Sequence, residues 1–315
     1  MNLLIGALTE GFIFAPLALG LYLSYRVYDT LDLTVDGSFG TGAATVAALL
    51  VRGVPPAAAT ALGALAGVVA GGITGAVHTR LRVNVSLAGV LMTTALYSVT
   101  LFIMGGGNLS LASAESLVTR AEGIAHRVFG VPDSLTLFGT TVGGGSLATL
   151  VGMGLIAAAL ATVLTAFLRT DLGLAMRAAG SNPQMAKSVA VNVDHMIIVG
   201  LGLSNGVIAL AGALFAQYQG FANIQMGIGA IVTGLATLMV GEALLGRRSL
   251  GRWVAGAIVG AVVFRLLIAG AIRAGLNANA LKLVTALFVL FVLLLPRLVA
   301  AARRHRRLEA IPRHG

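Results

Sequence analysis

Cysteine is absent from the 315 residues, so disulfides, thiolate metal sites and thiol nucleophiles are excluded. Lysine occurs twice, at Lys187 and Lys282, and neither follows a glycine. The phosphate-cradling pattern Gly-x-x-x-x-Gly-Lys-Ser/Thr therefore cannot be written on this chain. The five histidines, at positions 78, 126, 195, 305 and 314, fall at no metal-ligating spacing, and no serine sits in a Gly-x-Ser-x-Gly elbow. Proline is scarce, with 7 residues, and charge is scarcer: Asp, Glu, Lys and Arg make up 10% of the chain, against about 25% in an ordinary soluble domain. A chain with so little charge has no means of covering a water-facing surface.

What the sequence does contain is apolar length. Hydrophobic residues make up 57% and the mean hydropathy is +0.95. In a bilayer the apolar faces meet lipid, and helices satisfy their own backbone groups. Runs near the ~17–25 residues that cross hydrocarbon fall at 3–25, 34–51, 56–77, 83–104, 144–168, 195–217, 226–246, 251–270 and 279–296. The expected fold is an all-α polytopic membrane protein with about nine spans (8–10), forming a single domain over 1–315. The first run lacks a basic leader and reads as a retained span. The run 34–51 is short and opens on a polar, Gly-containing stretch, which predicts a broken second span.

The net charge of +10 is distributed by side. With the C-terminus in the cytoplasm and the spans alternating, the inner side holds Arg26, Arg80, Arg82, Arg169, Arg177, Lys187, Arg247, Arg248, Arg252 and the basic tail 297–315. The outer side holds Arg52, Arg120, Arg127, Arg273 and Lys282. This bias predicts an N-terminus outside and a C-terminus inside. The tail run Arg303-Arg-His-Arg-Arg307 reads as an anchor for anionic membrane lipid, not as a nucleic-acid patch. An outer loop of about 105–143 and an inner loop of about 169–194 are the two long connections.

Glycine numbers 42. Gly63, Gly67, Gly71 and Gly75 recur every four residues and so line one helix face, where small residues let a neighbouring backbone approach closely; Gly256 and Gly260 repeat the spacing. Ala18-Leu19-Gly20 and Leu210-Ala211-Gly212 each run toward a polar break, in spans of opposite direction, an arrangement that suits an inverted repeat.

The inner loop is small and apolar at Ala175, Ala178, Ala179 and 185–191 although it should lie outside the membrane. Ser181-Asn182-Pro183 reads as a helix cap followed by proline at an allowed early position. Such a short helix either seats in a partner's groove or lies on headgroups. On Gly173, Arg177, Ala178, Met185, Ala186 and Asn192 the loop resembles the cytoplasmic coupling segment of permease subunits of ATP-binding-cassette importers, in the family that includes branched-chain amino acid and ribose permeases. Ala190 stands where that family usually has Gly, so the helix exit is expected to differ. Leu31–Phe39 is similar to the family's early broken-helix segment, Gly89–Tyr97 to its tryptophan/tyrosine transport subgroup, and Pro296 to its usual ending; the likeness covers about 10–298. The resemblance implies a non-enzymatic bacterial inner-membrane subunit importing a small solute, an amino acid of aromatic or branched-chain type. Its implied partners are ATP-binding-cassette ATPase subunits that use the ATP, an external solute-binding protein and a second permease chain in a homodimer. The coupling contact is expected at Gly173, Arg177, Ala178, Asn182, Met185, Ala186, Lys187 and Asn192.

Polar residues at membrane depth usually face the protein interior or water, because a charge at a helix centre costs about 2.5–3.5 kcal/mol. Asp36, Ser38, Thr93, Thr94, Tyr97, Asn205 and Gln217 are candidate pathway residues, each with a plainer reading as a cap or as a hydrogen bond within the bundle. Glu242 lies near Arg247 and Arg248 and reads as a local ion pair before it reads as a gate, and Glu10 lies where it could line the outer mouth. The rival function, an ion-coupled secondary transporter, would want several carboxylates at mid-membrane, and only Glu10 and Glu242 come near.

Overall fold

The computed structural model describes residues 2–129, 134–137, 140–246, 249–275 and 283–290. Helix α1 (Asn2–Leu21) continues as a π-helical turn over Tyr22–Val27 and ends at Asp29, which takes a left-handed φ of 52°. After a break, α2 (Val35–Val51), α3 (Pro56–Leu81) and α4 (Val85–Met104) follow. α3 starts on Pro56, where a missing N–H costs nothing. The Asn84 side chain caps α4 by accepting from Ser86 N at 2.9 Å, and Gly105 at φ 68° ends it. Then come α5 (Leu117–Phe129), α6 (Gly144–Phe167), α7 (Asp171–Ser181), α8 (Pro183–Ser188), α9 (Val193–Gln219), α10 (Ala230–Leu245) and α11 (Leu250–Arg273). Residues 283–290 are helical. Two antiparallel ribbons complete the described chain. β1 (Asn108–Ser110) pairs with β4 (Phe221–Asn223), and β2 (Ser134–Leu137) with β3 (Thr140–Gly143).

Among the described residues six helices are long and apolar enough to cross a membrane: Leu3–Val27, Pro56–Leu81, Val85–Met104, Gly144–Phe167, Val193–Gln219 and Leu250–Arg273. α2 and α10 are apolar but shorter. These eight correspond to the first eight expected runs, whereas most of the ninth, 279–296, lies outside the described residues, as do Pro296 and the basic tail. The break expected inside the second span falls ahead of it, over residues 28–34.

α9 is the axis, with α1, α2 and α3 packed around it. The four-residue glycine stripe explains how closely α3 approaches: a Cβ on Gly71 would lie 2.7 Å from Asn205 Cβ, and one on Gly75 2.8 Å from Ile198 Cα. Gly67 faces the Asn205 carbonyl and Ala209, and Gly63 faces the Gly42 carbonyl of α2, a Cβ there standing 3.1 Å away. Gly241 and Gly256 meet backbone to backbone between α10 and α11. With no glycine side chains in the way, the helices gain packing contact, the main source of association between helices in lipid. Large apolar side chains such as Phe102 (87% exposed) and Leu155 point outward, as lipid-facing positions should.

Candidate functional site: a cavity where two helix starts meet

α2 and α10 both begin inside the bundle, and their first turns are joined. Asp36, in the first turn of α2, accepts from Gly229 N at 3.0 Å and from Ile231 N at 2.9 Å, so its carboxylate caps α10. A negative group at a helix N-terminus satisfies orphan donors and opposes the positive end of the helix dipole. Gly229 (φ 87°) supplies the left-handed turn into α10, and Gly227 lies against the Asp36 carbonyl with no space for a Cβ.

Beside this junction is a cavity of about 440 Å³, lined by Asp36, Gly37 and Gly40 of α2, by Thr93, Thr94, Leu96, Tyr97, Ser98 and Thr100 of α4, and by Ile224, Gly227 and Ile228 of the loop before α10. Four of the candidate pathway residues, Asp36, Thr93, Thr94 and Tyr97, are brought together here. Gly37 brings α2 against α4, where a Cβ would stand 3.0 Å from Thr93 Cα, while Gly40 has nothing nearer than Gly227 N at 4.0 Å and leaves the cavity open. Tyr97 is 50% exposed in mid-helix, so the polar face of α4 is not covered by this chain.

The structure places the other three candidates elsewhere, in buried networks. Asn205 donates to Asp32 Oδ2 at 2.6 Å and to Leu201 O at 3.0 Å, and accepts from Ser38 Oγ at 2.7 Å. Asp32 also accepts from Thr34 N at 2.9 Å, the short-range turn that starts α2. Asp32, Ser38 and Asn205 are all essentially inaccessible. Their hydrogen bonds fix the broken segment to α9, and stranding one such group would cost about 1–3 kcal/mol. Gln217 donates to Thr60 Oγ1 at 2.8 Å and accepts from Leu117 N at 2.9 Å, tying α9 to α3 and α5.

The intramembrane ions pair over long sequence distances. Arg26, in the π-helical turn of α1, grips Glu242 of α10 bidentately, with Nε to Oε1 at 2.6 Å. Glu242 thus reaches across the bundle to α1; Arg247 and Arg248, with which a local pair was expected, lie outside the described residues. Glu10 pairs with Arg265 of α11 at 3.1 Å, and that guanidinium also stacks on Phe14, 3.6 Å from the ring centre.

Two features went unread in the sequence: α5 in the outer loop, and the attachment of Gly229 and Ile231, at the end of the second polar break, to Asp36. The Ser116–Thr119 hydrogen bonds that cap α5, and the Gly227-Ile-Gly229 run ahead of a short apolar stretch, were the available signals. Arg120, in the first turn of α5, hydrogen-bonds Glu115 just ahead of the helix at 2.9 Å and holds that exposed carboxyl below the usual glutamate range.

The inner loop is two helices joined at the extended residue Asn182. Thr170 caps α7 through Gly173 N at 3.3 Å, and Asn182 caps α8 through Met185 N at 3.0 Å, with Pro183 in its first turn as the sequence predicts. Gly173 packs on the end of α6 and Ala186 is fully buried, while Arg177 and Ala178 are half-buried. Asn182, Met185, Lys187 and Asn192 are exposed. Asn192 caps α9 through His195 N at 3.1 Å. Met185 (60% exposed) and Val189 (63%) form the apolar knob of α8. Ala190 takes φ 61°, the left-handed conformation that glycine adopts freely, and so carries backbone strain at this exit.

A bundle of membrane-length helices with a cavity beside a helix break is the architecture of a polytopic helical membrane protein. The chain matches the family described as branched-chain amino acid transport system, permease component, over residues 3–295. It is 32% identical over 290 residues to a tyrosine transport system permease protein of Clostridioides difficile, covering 92% of this chain and 90% of that protein. It is 34% identical to the uncharacterized protein RP368 of Rickettsia prowazekii over 77% of this chain and 78% of that one. It is also 28% identical to the autoinducer 2 import system permease protein LsrC of Yersinia pseudotuberculosis, over 73% of this chain and 59% of that one. No solved structure matches the chain. The chain belongs to the branched-chain amino acid transport system permease family of ATP-binding-cassette transporters.

Proposed function

We propose that this chain is the membrane-spanning subunit of an ATP-driven importer for an amino acid of the aromatic class, without a catalytic site of its own. The likeness to a tyrosine transport system permease protein favours aromatic over branched-chain solutes. In this reading the whole chain is one permease domain in a bacterial inner membrane, with nine spans, its N-terminus outside and its C-terminus and basic tail on the lipid-facing inner side. α7 and α8 then lie in the cytoplasm, where ATPase subunits grip the knob and consume the ATP. A solute-binding protein delivers solute from outside. A second copy covers the polar face of α4, since Tyr97 at 50% exposure would otherwise face lipid at a cost.

An inverted repeat is supported by paired features of the two halves. Each long helix, α1 and α9, is followed by a break and a short helix that starts inside the bundle. Gly42 of α2 packs on Ala209 of α9, and Gly234 of α10 packs on Leu17 of α1. Binding near the junction of such repeats is the common transporter layout.

The observation that carries the coupling role is the exposed Met185–Val189 knob on a capped helix outside the apolar spans. Met185→Asp with Val189→Asp should reduce co-purification of the ATPase subunits about tenfold, as expected when an apolar hot spot worth 1.4 kcal/mol or more is lost, while the permease remains folded. Unchanged co-purification would refute the coupling role. Ala186 is unsuitable for this test because a charge there would be buried.

A further inference from the structure

The cavity surface is mainly apolar, and the polar groups on it are mostly hydrogen-bond acceptors. The hydroxyl proton of Thr93 goes to Leu33 O at 2.7 Å and that of Thr94 to Val90 O at 2.9 Å. Thr41 donates to Gly37 O at 2.8 Å, so the 3.2 Å contact between Thr41 and Thr100 takes its proton from Thr100. Each of these hydroxyls retains only lone pairs to offer. The α10 amides at Gly229 and Ile231 are taken up by Asp36. Asp36 is also the one carboxylate among the lining residues, and a carboxylate holding two N–H donors has further lone-pair positions. Among the described residues Tyr97 and Ser98 are the lining hydroxyls that make no hydrogen bond within the chain.

We propose that Asp36 is the specificity-determining residue of this cavity and binds the ammonium group of the solute. The lone pairs of the α4 threonines surround that cation, and Tyr97 and Ser98 provide the free donors for the solute's opposite end. The size suits a small molecule, since such sites span about 300–1,000 Å³. A solute that brings three N–H donors completes the acceptors already present. A solute that brings only a carboxylate meets Asp36 as a like charge, which is unfavourable at short range. This inference rests on reading the cavity as the place where the solute binds.

The test uses the purified full chain in detergent and two probes that differ in one group: tyramine, which keeps the ammonium and lacks the carboxylate, and 3-(4-hydroxyphenyl)propionate, which is the reverse. Tyramine should raise the thermal midpoint and the acid should not. Asp36→Asn should weaken tyramine binding about 10- to 100-fold, the loss expected for one hydrogen bond to a charged group. Equal shifts from both probes, a shift from the acid alone, or none from tyramine would overturn the proposal. Should the variant fail to fold, the comparison of the two probes on the unaltered chain decides alone. Failure of the importer reading would be visible separately, as absence of ATP-driven uptake by the assembled wild-type complex, which this binding assay does not involve.

Discussion

Gly71 and Gly72 are neighbours on α3, and alanine should have opposite effects at the two. At Gly71 a Cβ would lie 2.7 Å from Asn205 Cβ and closer still to the Leu201 carbonyl, whereas ordinary contact begins near 3.4 Å. α3 would have to move off α9 by roughly 1 Å, which forfeits much of the local dispersion energy, and overpacking of this kind costs about 1–3 kcal/mol. Asn205 would shift with it, endangering its hydrogen bonds to Asp32 and Ser38, each worth about 1 kcal/mol. At Gly72 nothing lies within 4 Å, so alanine should only stiffen the helix and stabilise it by about 0.5–1 kcal/mol. The pair should therefore differ by about 3 kcal/mol, or some 5 °C or more in thermal midpoint. The assay is fluorescence-detected size-exclusion chromatography after graded heating, in one detergent. If Gly71→Ala matched Gly72→Ala, close backbone approach along this stripe would not be what holds α3 to α9.

Two further substitutions probe strain and charge. Ala190→Gly relieves a left-handed alanine and should stabilise the chain by about 0.5–1 kcal/mol, read as a higher thermal midpoint with no loss of ATPase binding. Arg26→Met removes the two guanidinium hydrogen bonds to the Glu242 carboxylate, 7% exposed, and should cost about 1.5–3 kcal/mol. The double variant Arg26→Met with Glu242→Gln should recover part of that loss, and strict additivity of the two single changes would deny the coupling.

Local features were the most legible in the sequence. The stripe Gly63, Gly67, Gly71, Gly75 has the period of a helix face, and Asn182-Pro183 has the chemistry of a helix start; both depend only on near neighbours. Asp36 was half legible. Its place at a break could be read, but its attachment to Gly229 and Ile231, some two hundred positions away, could not. The Arg26–Glu242 and Glu10–Arg265 pairs were hidden for the same reason, because hydropathy locates a charge along a span but does not say which neighbouring span it faces. Ser38, Asn205 and Gln217 showed why polarity at membrane depth is ambiguous. A side chain that fastens a broken helix and one that lines a cavity satisfy the same requirement for a hydrogen-bond partner. α5 was missed because an amphipathic helix outside the spans leaves no long apolar run.

The central claim, that a nucleotide-hydrolysing partner drives solute through this chain by way of α7 and α8, is tested most directly in liposomes. The chain is assembled with its ATPase subunits and given binding protein loaded with labelled tyrosine. Accumulation that requires ATP hydrolysis and ceases when the ATPase subunits are omitted is the predicted result. Uptake by the chain alone, driven by an ion gradient, would contradict it.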